Sequence, residues 1–145
     1  MNPPGSVSAW PVTSTDYFPT ILEATGKPLL PDQHRDGSSF LAALQDTTAT
    51  DEERPLFWHY PHLGNQGGIP GAAVRQGDWK LIEWYWGKQS ELFNLADDPG
   101  EQQNLTSIQP DKLAALQTLL DSFREDTAAI MPAVNPNPKQ PFERW

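Results

Sequence analysis

Apolar residues recur along the chain with two different periods, and the change between them divides it. In the first third the spacing is helical. Thr13-Ser-Thr15 offers N-cap hydroxyls and Asp16 an acidic first-turn residue, and Tyr17, Phe18, Ile21 and Leu22 then form one apolar face. Pro19 falls near the helix start, where backbone N–H groups lack intrahelical partners. Gly26 supplies the stop and Pro28 prevents continuation. A second short helix is predicted over residues 38–45, with Phe40, Leu41 and Leu44 inward. Residues 46–54 are almost wholly polar and read as a linker, the best domain boundary in the chain.

Beyond the linker the period drops to two. An aromatic strand is expected over 56–60, and residues 64–68 read as a glycine-rich loop. Residues 72–76 and 79–86 flank Gly77-Asp78, a pair suited to a tight hairpin turn, and 87–89 turn again before a strand over 91–95. Strands joined by such short connections are antiparallel. Ala96-Asp-Asp-Pro-Gly100 is a further turn. Pro110 suits a first helical position, and Leu113, Leu116, Leu120 and Phe123 make one helical stripe that ends near Ala128. A sheet of three or four strands needs a cover, so this helix is expected across one face. Four prolines between 132 and 145 give the last residues the character of an extended tail. The expected fold class is α+β: a small antiparallel sheet of about four strands covered by a C-terminal helix.

Composition narrows the chemistry. Six tryptophans in 145 residues argue for a folded chain, because rings of that size are rarely left in water in number. The absence of cysteine removes disulfides, thiolate metal sites and cysteine nucleophiles. No apolar run has the length of a membrane span, and Met1-Asn-Pro-Pro-Gly-Ser6 does not read as a signal peptide. The net charge of −9 is uneven: residues 54–90 carry Arg54, Arg75, Lys80 and Lys88 against only Asp78 and Glu83. This argues against broad nucleic-acid binding, which needs many cations, but suits one small anion or an anionic sugar.

The most unusual string is Phe57-Trp58-His59-Tyr60-Pro61-His62. Two histidines three apart can share a metal only if Pro61 breaks the strand, since positions i and i+3 face opposite ways, and no third ligand stands nearby. The alternatives are ring nitrogens satisfied by backbone or water, and contact with a ligand. In the last case Arg75 and Lys80 would pair with a sulfate or phosphate while the rings stack on its sugar. No serine lies in a Gly-x-Ser-x-Gly elbow, and no glycine loop has the spacing of a phosphate cradle. Asn104-Leu-Thr106 matches the glycosylation pattern, which is common by chance.

Several strings occur together in the order of one family. Pro11-Val-Thr-Ser-Thr-Asp16-Tyr-Phe-Pro-Thr20-Ile-Leu22, then Gly26, then Asp36-Gly37-Ser38, resembles the late part of the sulfatase catalytic domain. Arg54-Pro-Leu-Phe-Trp-His-Tyr-Pro-His62, Ala73-Val-Arg-Gln-Gly-Asp-Trp-Lys-Leu81 and Glu91-Leu-Phe-Asn-Leu-Ala-Asp-Asp-Pro-Gly-Glu101, with Asn104-Leu105 after it, resemble its C-terminal subdomain. The resemblance runs from about Gly5 to Pro138. It implies that residues 1–50 are the last helices of an α/β catalytic domain, 54–130 the C-terminal subdomain and 131–145 an extended tail. It also implies a parent that hydrolyses sulfate esters with a formylglycine, made in a Cys/Ser-x-Pro-x-Arg motif, beside a calcium ion. This chain has no cysteine and no serine followed by x-Pro-x-Arg, so no catalytic residue and no calcium ligand carries over. Calcium and formylglycine are expected only in a full-length enzyme, and the sulfate-ester substrate would be met through the catalytic domain. Such enzymes are often periplasmic or secreted, but this chain carries no address of its own. His59 and His62 are the positions expected to line the substrate cleft, as contacts and not as catalysts. The alternative is a non-catalytic module whose aromatic sheet (Trp58, Trp79, Trp84, Tyr85, Trp86) holds a sulfated glycan.

Overall fold

The computed structural model describes residues 2–63, 68–87 and 90–133. The expected glycine loop at 64–67, the turn residues 88–89 and the tail from 134 onward lie outside the described residues. The chain divides into two compact units, Met1–Arg54 and Pro55–Trp145.

In the first unit a single 3-10 turn, Ser14–Asp16, leads into α1, Tyr17–Ala24, and a short α2 follows at Leu41–Gln45. Gly26, with φ of 67°, closes α1 in the left-handed conformation that glycine adopts freely. The buried residues differ from the apolar pattern. Asp16, Pro19 and Thr20 are buried, whereas Tyr17, Phe18 and Ile21 are exposed. In α2 Ala43 is the buried residue and Leu44 is exposed. The reason is a polar hub. Asp16 Oδ2 accepts from the Thr13 N–H at 2.7 Å, and Oδ1 from the Ser38 N–H at 2.9 Å. Arg54 then closes both oxygens, Nη1 on Oδ2 at 3.1 Å and Nη2 on Oδ1 at 2.7 Å. The Thr20 hydroxyl donates to the Asp16 carbonyl at 2.7 Å and accepts from the Phe40 N–H at 3.0 Å. Helix α2 begins only at Leu41, three residues later than the pattern predicts, and the Ser38 and Phe40 amides are held by Asp16 and Thr20 in the loop before it.

The loop bearing Ser38 approaches α1 closely. A Cβ on Gly37 would lie 2.3 Å from the Thr15 carbonyl oxygen, so only glycine fits. Residue 54, the last of the expected linker, is therefore an anchor of the first unit, not a spacer.

The second unit is a meander. Strands β1 (Leu56–Tyr60), β2 (Gly71–Gln76), β3 (Trp79–Trp84) and β4 (Ser90–Asn94) pair antiparallel in the order β1-β2-β3-β4. Gly77, with φ of 57°, makes the hairpin between β2 and β3. Helix α3, Pro110–Asp126, covers one face. The register places Phe57 opposite Val74, Val74 opposite Leu81 and Leu81 opposite Leu92. With Ala72, these residues meet Leu116 and Leu120 of α3 to form the core. Phe57 stacks on Phe123 at 4.5 Å between ring centroids. The predicted stripe on α3 is thus the stripe that packs.

The free edge of β4 is covered by its own continuation. The Leu105 N–H donates to the Leu92 carbonyl at 2.8 Å, and Asn104 Oδ1 accepts from the Leu92 N–H at 3.1 Å. The Asn104 amide also reaches the Ser90 carbonyl at 3.2 Å. Asn104 thus has a structural task at a strand edge that would otherwise be open to pairing.

Two outcomes follow. Leu81 is fully buried at the centre of the core, and Leu81→Ala is expected to cost about 2–5 kcal/mol in urea unfolding. In the first unit, burial pushes the Asp16 carboxyl up, but the Arg54 hydrogen bonds, the Thr13 and Ser38 amides and the Arg54 charge outweigh it. They hold Asp16 below the usual carboxylate range. The pair therefore stabilises the fold above the unfolded pKa of about 3.9, and that stability is lost as pH falls through the lower native value. Amide-exchange protection factors of residues 13–24 should fall over that acid interval. Asp16→Asn should lower protection already at neutral pH, because the partly buried Arg54 loses its counter-charge.

Candidate functional site

The pleat sorts the second unit's chemistry onto two faces, since successive side chains on a strand point opposite ways. The aromatic residues that form one group in the sequence are divided by it. Trp79 and Tyr85 pack on the helix side, where Lys112 lies over the Trp79 ring at 5.4 Å. Trp58, Tyr60 and Trp84 stand on the opposite side.

On the helix side, His59 sits at the edge of the core. Its Nε2 lies 3.0 Å from the Ile130 carbonyl oxygen and its Nδ1 2.7 Å from the Tyr85 hydroxyl. A carbonyl only accepts, so Nε2 donates to Ile130, and the Tyr85 hydroxyl engages Nδ1. The Tyr85 ring in turn lies under the Arg124 guanidinium at 5.4 Å, and Arg124 pairs with Glu83 of β3 and with Asp121 at 2.9 Å. Burial pushes the Tyr85 phenol above its usual value; Arg124 pulls the other way and the Glu83 charge adds to the rise. Burial also works against the Arg124 charge, and Glu83 and Tyr85 more than offset it. This chain of contacts ties β1, the end of β3 and α3 to the segment after α3.

His62 lies beyond β1 and is exposed, its ring edge-on to Tyr60 at 5.6 Å. The structure therefore separates the two histidines by place and partners. His59 has both ring nitrogens engaged, and His62 sits beside the opposite face through Tyr60. No bond joins them.

The opposite face holds a trough with a cavity of about 470 Å³. Its floor is β2, where Gly71, Ala73 and Arg75 alternate with the core residues. One wall is Trp58 and Tyr60 of β1, the other Ile82 and Trp84 of β3. The register puts Trp58, Ala73 and Ile82 in one row and Tyr60, Gly71 and Trp84 in the next. A Cβ at Gly71 would meet the Glu83 carbonyl oxygen at 2.7 Å and the Trp84 ring at 3.2 Å, so glycine keeps the floor low there. The Trp84 indole donates to Glu91 at 2.6 Å, which fixes that ring. The far end is cationic: Arg75 stands opposite Lys80. Lys80 pairs with Glu101 at 2.7 Å, brought there by a left-handed backbone at Glu101 with φ of 54°. Arg75 donates from Nε to the Gly77 carbonyl at 3.0 Å and has no carboxylate partner among the described residues. The sequence pointed to Arg75 and Lys80 as anion partners, but only the register shows them joined to Trp58 and Trp84.

Among the described residues no three His, Asp or Glu side chains converge. The fully buried carboxylate, Asp16, is filled by two amides and a guanidinium. Nor do the described residues include a helix long and apolar enough to cross a membrane.

Residues 2–126 match the family model of N-sulphoglucosamine sulphohydrolase, C-terminal. The chain belongs to the sulfatase family. It matches the C-terminal part of that family, as its strings of residues had suggested. It is 32% identical over 107 residues to a sulfatase of Formosa agariphila, covering 68% of this chain and 19% of that protein. It is 28% identical over 138 residues to arylsulfatase K of Danio rerio, covering 93% and 26%. Among solved structures, BT4656 in complex with its substrate D-glucosamine-2-N,6-O-disulfate superposes with a TM-score of 0.65 at 23% identity, over 81% of this chain and 24% of that one. BT1596, a 2-O GAG sulfatase, gives 0.62 at 23% identity over 83% and 27%. These likenesses confirm the α+β fold of a sulfatase C-terminal region. The chain spans about a fifth to a quarter of the length of the curated relatives it matches.

The Tyr85 cluster gives a direct spectroscopic expectation. Titration at 295 nm should show one phenol ionising above the usual value of about 10, and Tyr85→Phe should remove it. The same substitution removes a partner of His59, so amide exchange near Ile130 should rise with it.

Proposed function

We propose that this chain is the C-terminal part of a hydrolase of sulfate esters, an arylsulfatase or a sulfatase of sulfated carbohydrate. The observation that carries this reading is the match of residues 2–126 to the C-terminal model of a sulphohydrolase. The sequence contains neither a cysteine nor a serine in the Ser-x-Pro-x-Arg context, so the nucleophile is proposed to lie in a catalytic domain outside it. Formylglycine and calcium belong to that domain, and this chain alone is inactive.

In such an enzyme His59 and His62 are the proposed substrate contacts. His62 is supported by its exposure and its place beside Tyr60. His59 is held by Tyr85 and Ile130, so it contacts substrate only by exchanging one of those bonds, or otherwise positions the strand that carries Trp58 and Tyr60. A second reading, a module that holds a sulfated glycan without cutting it, is favoured by one observation, the aromatic trough with a cationic end.

The test has two arms. The 145-residue chain should release no sulfate from an aryl sulfate or from glucosamine disulfate. In a full-length enzyme carrying this segment, His62→Ala should raise KM roughly five-fold with little change in kcat, as expected for loss of binding shared by ground and transition states. Hydrolysis by the isolated chain would overturn the inactive-part reading. Unchanged KM and kcat in both His59→Ala and His62→Ala would remove the histidines from the substrate site.

A further inference from the structure

We infer that the trough on the helix-free face is a binding site for one ring of an anionic saccharide. The ring would lie over Gly71 and Ala73, with its anionic group on Arg75. Saccharide binding at the trough rests on the second reading above; hydrolysis by a larger enzyme does not enter into it.

Three features support this, each from a different part of the geometry. The first is shape. Strand β2 shows only a glycine and an alanine to this face between the rows that carry Trp58 and Tyr60 on one side and Ile82 and Trp84 on the other. Neighbouring strands lie about 4.8 Å apart, so the walls stand about 10 Å apart across β2. That leaves a slot for a flat ring and little more. A chain that needed only to fill this face would place a large side chain at position 73. At 71 glycine is enforced by the 2.7 Å approach of the Glu83 carbonyl, so the low floor is fixed by the backbone itself.

The second is the fixing of a wall. Trp84 is held by its indole N–H on Glu91, a bond that sets the ring before any ligand arrives. Trp58 and Tyr60 are about half exposed, at 48% and 52%, within a sheet whose other face packs on α3. An aromatic face carries partial negative charge and attracts the polarised C–H groups on the face of a sugar. Preset rings reduce the ordering that binding would otherwise cost.

The third is charge. The protein as a whole is acidic at −9, yet the end of the trough holds Arg75 and Lys80. Glu101 neutralises Lys80, and Glu91 is engaged by Trp84 and does not line the cavity. Arg75 is left as the uncompensated charge among the lining residues. Its Nε is spent on the Gly77 carbonyl, which orients the guanidinium and leaves the two terminal nitrogens for a ligand. A guanidinium fork matches two oxygens of a sulfate or a carboxylate. An apolar peptide would gain nothing from that end, and a polyanion such as nucleic acid would meet the acidic remainder of the surface.

The experiment is a calorimetric titration of the full 145-residue chain with three hexasaccharides: a sulfated galactan, the same galactan after desulfation, and an oligogalacturonate. At least one anionic probe should bind ten-fold or more tightly than the desulfated one, and the stronger of the two identifies the anion as sulfate or carboxylate. Arg75→Gln should abolish that difference. Trp58→Ala, at an exposed position, should weaken all probes about five-fold while leaving the far-UV spectrum unchanged. Lys112→Gln, on the helix side, should change nothing. Equal affinity for charged and neutral probes overturns the inference, as does an anionic preference that survives Arg75→Gln or is lost in Lys112→Gln. Absence of binding at millimolar probe also overturns it, including the case in which sedimentation shows the face occupied by a second protein copy. Because the readout is binding by this chain alone, its failure leaves the sulfatase reading standing, and hydrolytic results leave this one untouched.

Discussion

Everything in the second unit depends on the two-residue period of one strand. Strand β2 lies inside the sheet, and its side chains alternate between the face packed on α3 and the face that holds the trough. Ala72 and Val74 enter the core with Leu81, Leu92, Leu116 and Leu120. Gly71, Ala73 and Arg75 fall on the other side because they cannot do otherwise. A slip of one residue would bury Arg75 under α3 and expose Val74, an exchange no partner in that core could offset. The register that builds the hydrophobic core therefore also builds the trough.

The first unit is organised differently. It buries few large apolar side chains and a carboxylate instead. Asp16 takes two amides and both ends of a guanidinium, and the side chains of Asp16 and Arg54 are 0% and 13% exposed. Such a pair returns little net energy over an apolar substitute, since both charges give up water. It does fix geometry. The hub joins the start of α1, the loop at 36–38 and the residue where the linker ends, three stretches with no apolar pattern in common. It also explains why the apolar residues of α1 lie outward: the inward side is occupied by Asp16, Pro19 and Thr20.

Arginine recurs as the residue that ties elements together. Arg54 does so in the first unit, and Arg124 in the second, where it spans Glu83, Asp121 and the Tyr85 ring. In both cases the guanidinium supplies several directed contacts from one side chain, which a lysine cannot match. His59 extends the second network to the segment after α3 through both of its ring nitrogens.

The sequence by itself determined the elements of the sheet and its cover. Period-two runs bounded by Gly77-Asp78 and by proline-glycine turns gave four antiparallel strands, and the Leu113–Phe123 spacing gave the covering helix. These features are local, because alternation, turn chemistry and helical period each act within a few residues. The strings around residues 54–62, 73–81 and 91–105 likewise carried the family, since they depend on residue identity and order alone. Only the tertiary structure decided which groups meet. Asp16 and Arg54 are 38 residues apart and look like a first-turn acid and a member of a basic patch until the loop closes on them. Trp79 and Trp84 sit in one run of sequence, yet the pleat and the position of α3 send them to opposite faces. His59 and His62 differ for the same reason: one falls on the packed side, within reach of Tyr85, and the other falls beyond the strand end. Pairings across such distances are set by register and packing, and neither is written in any local window of the chain.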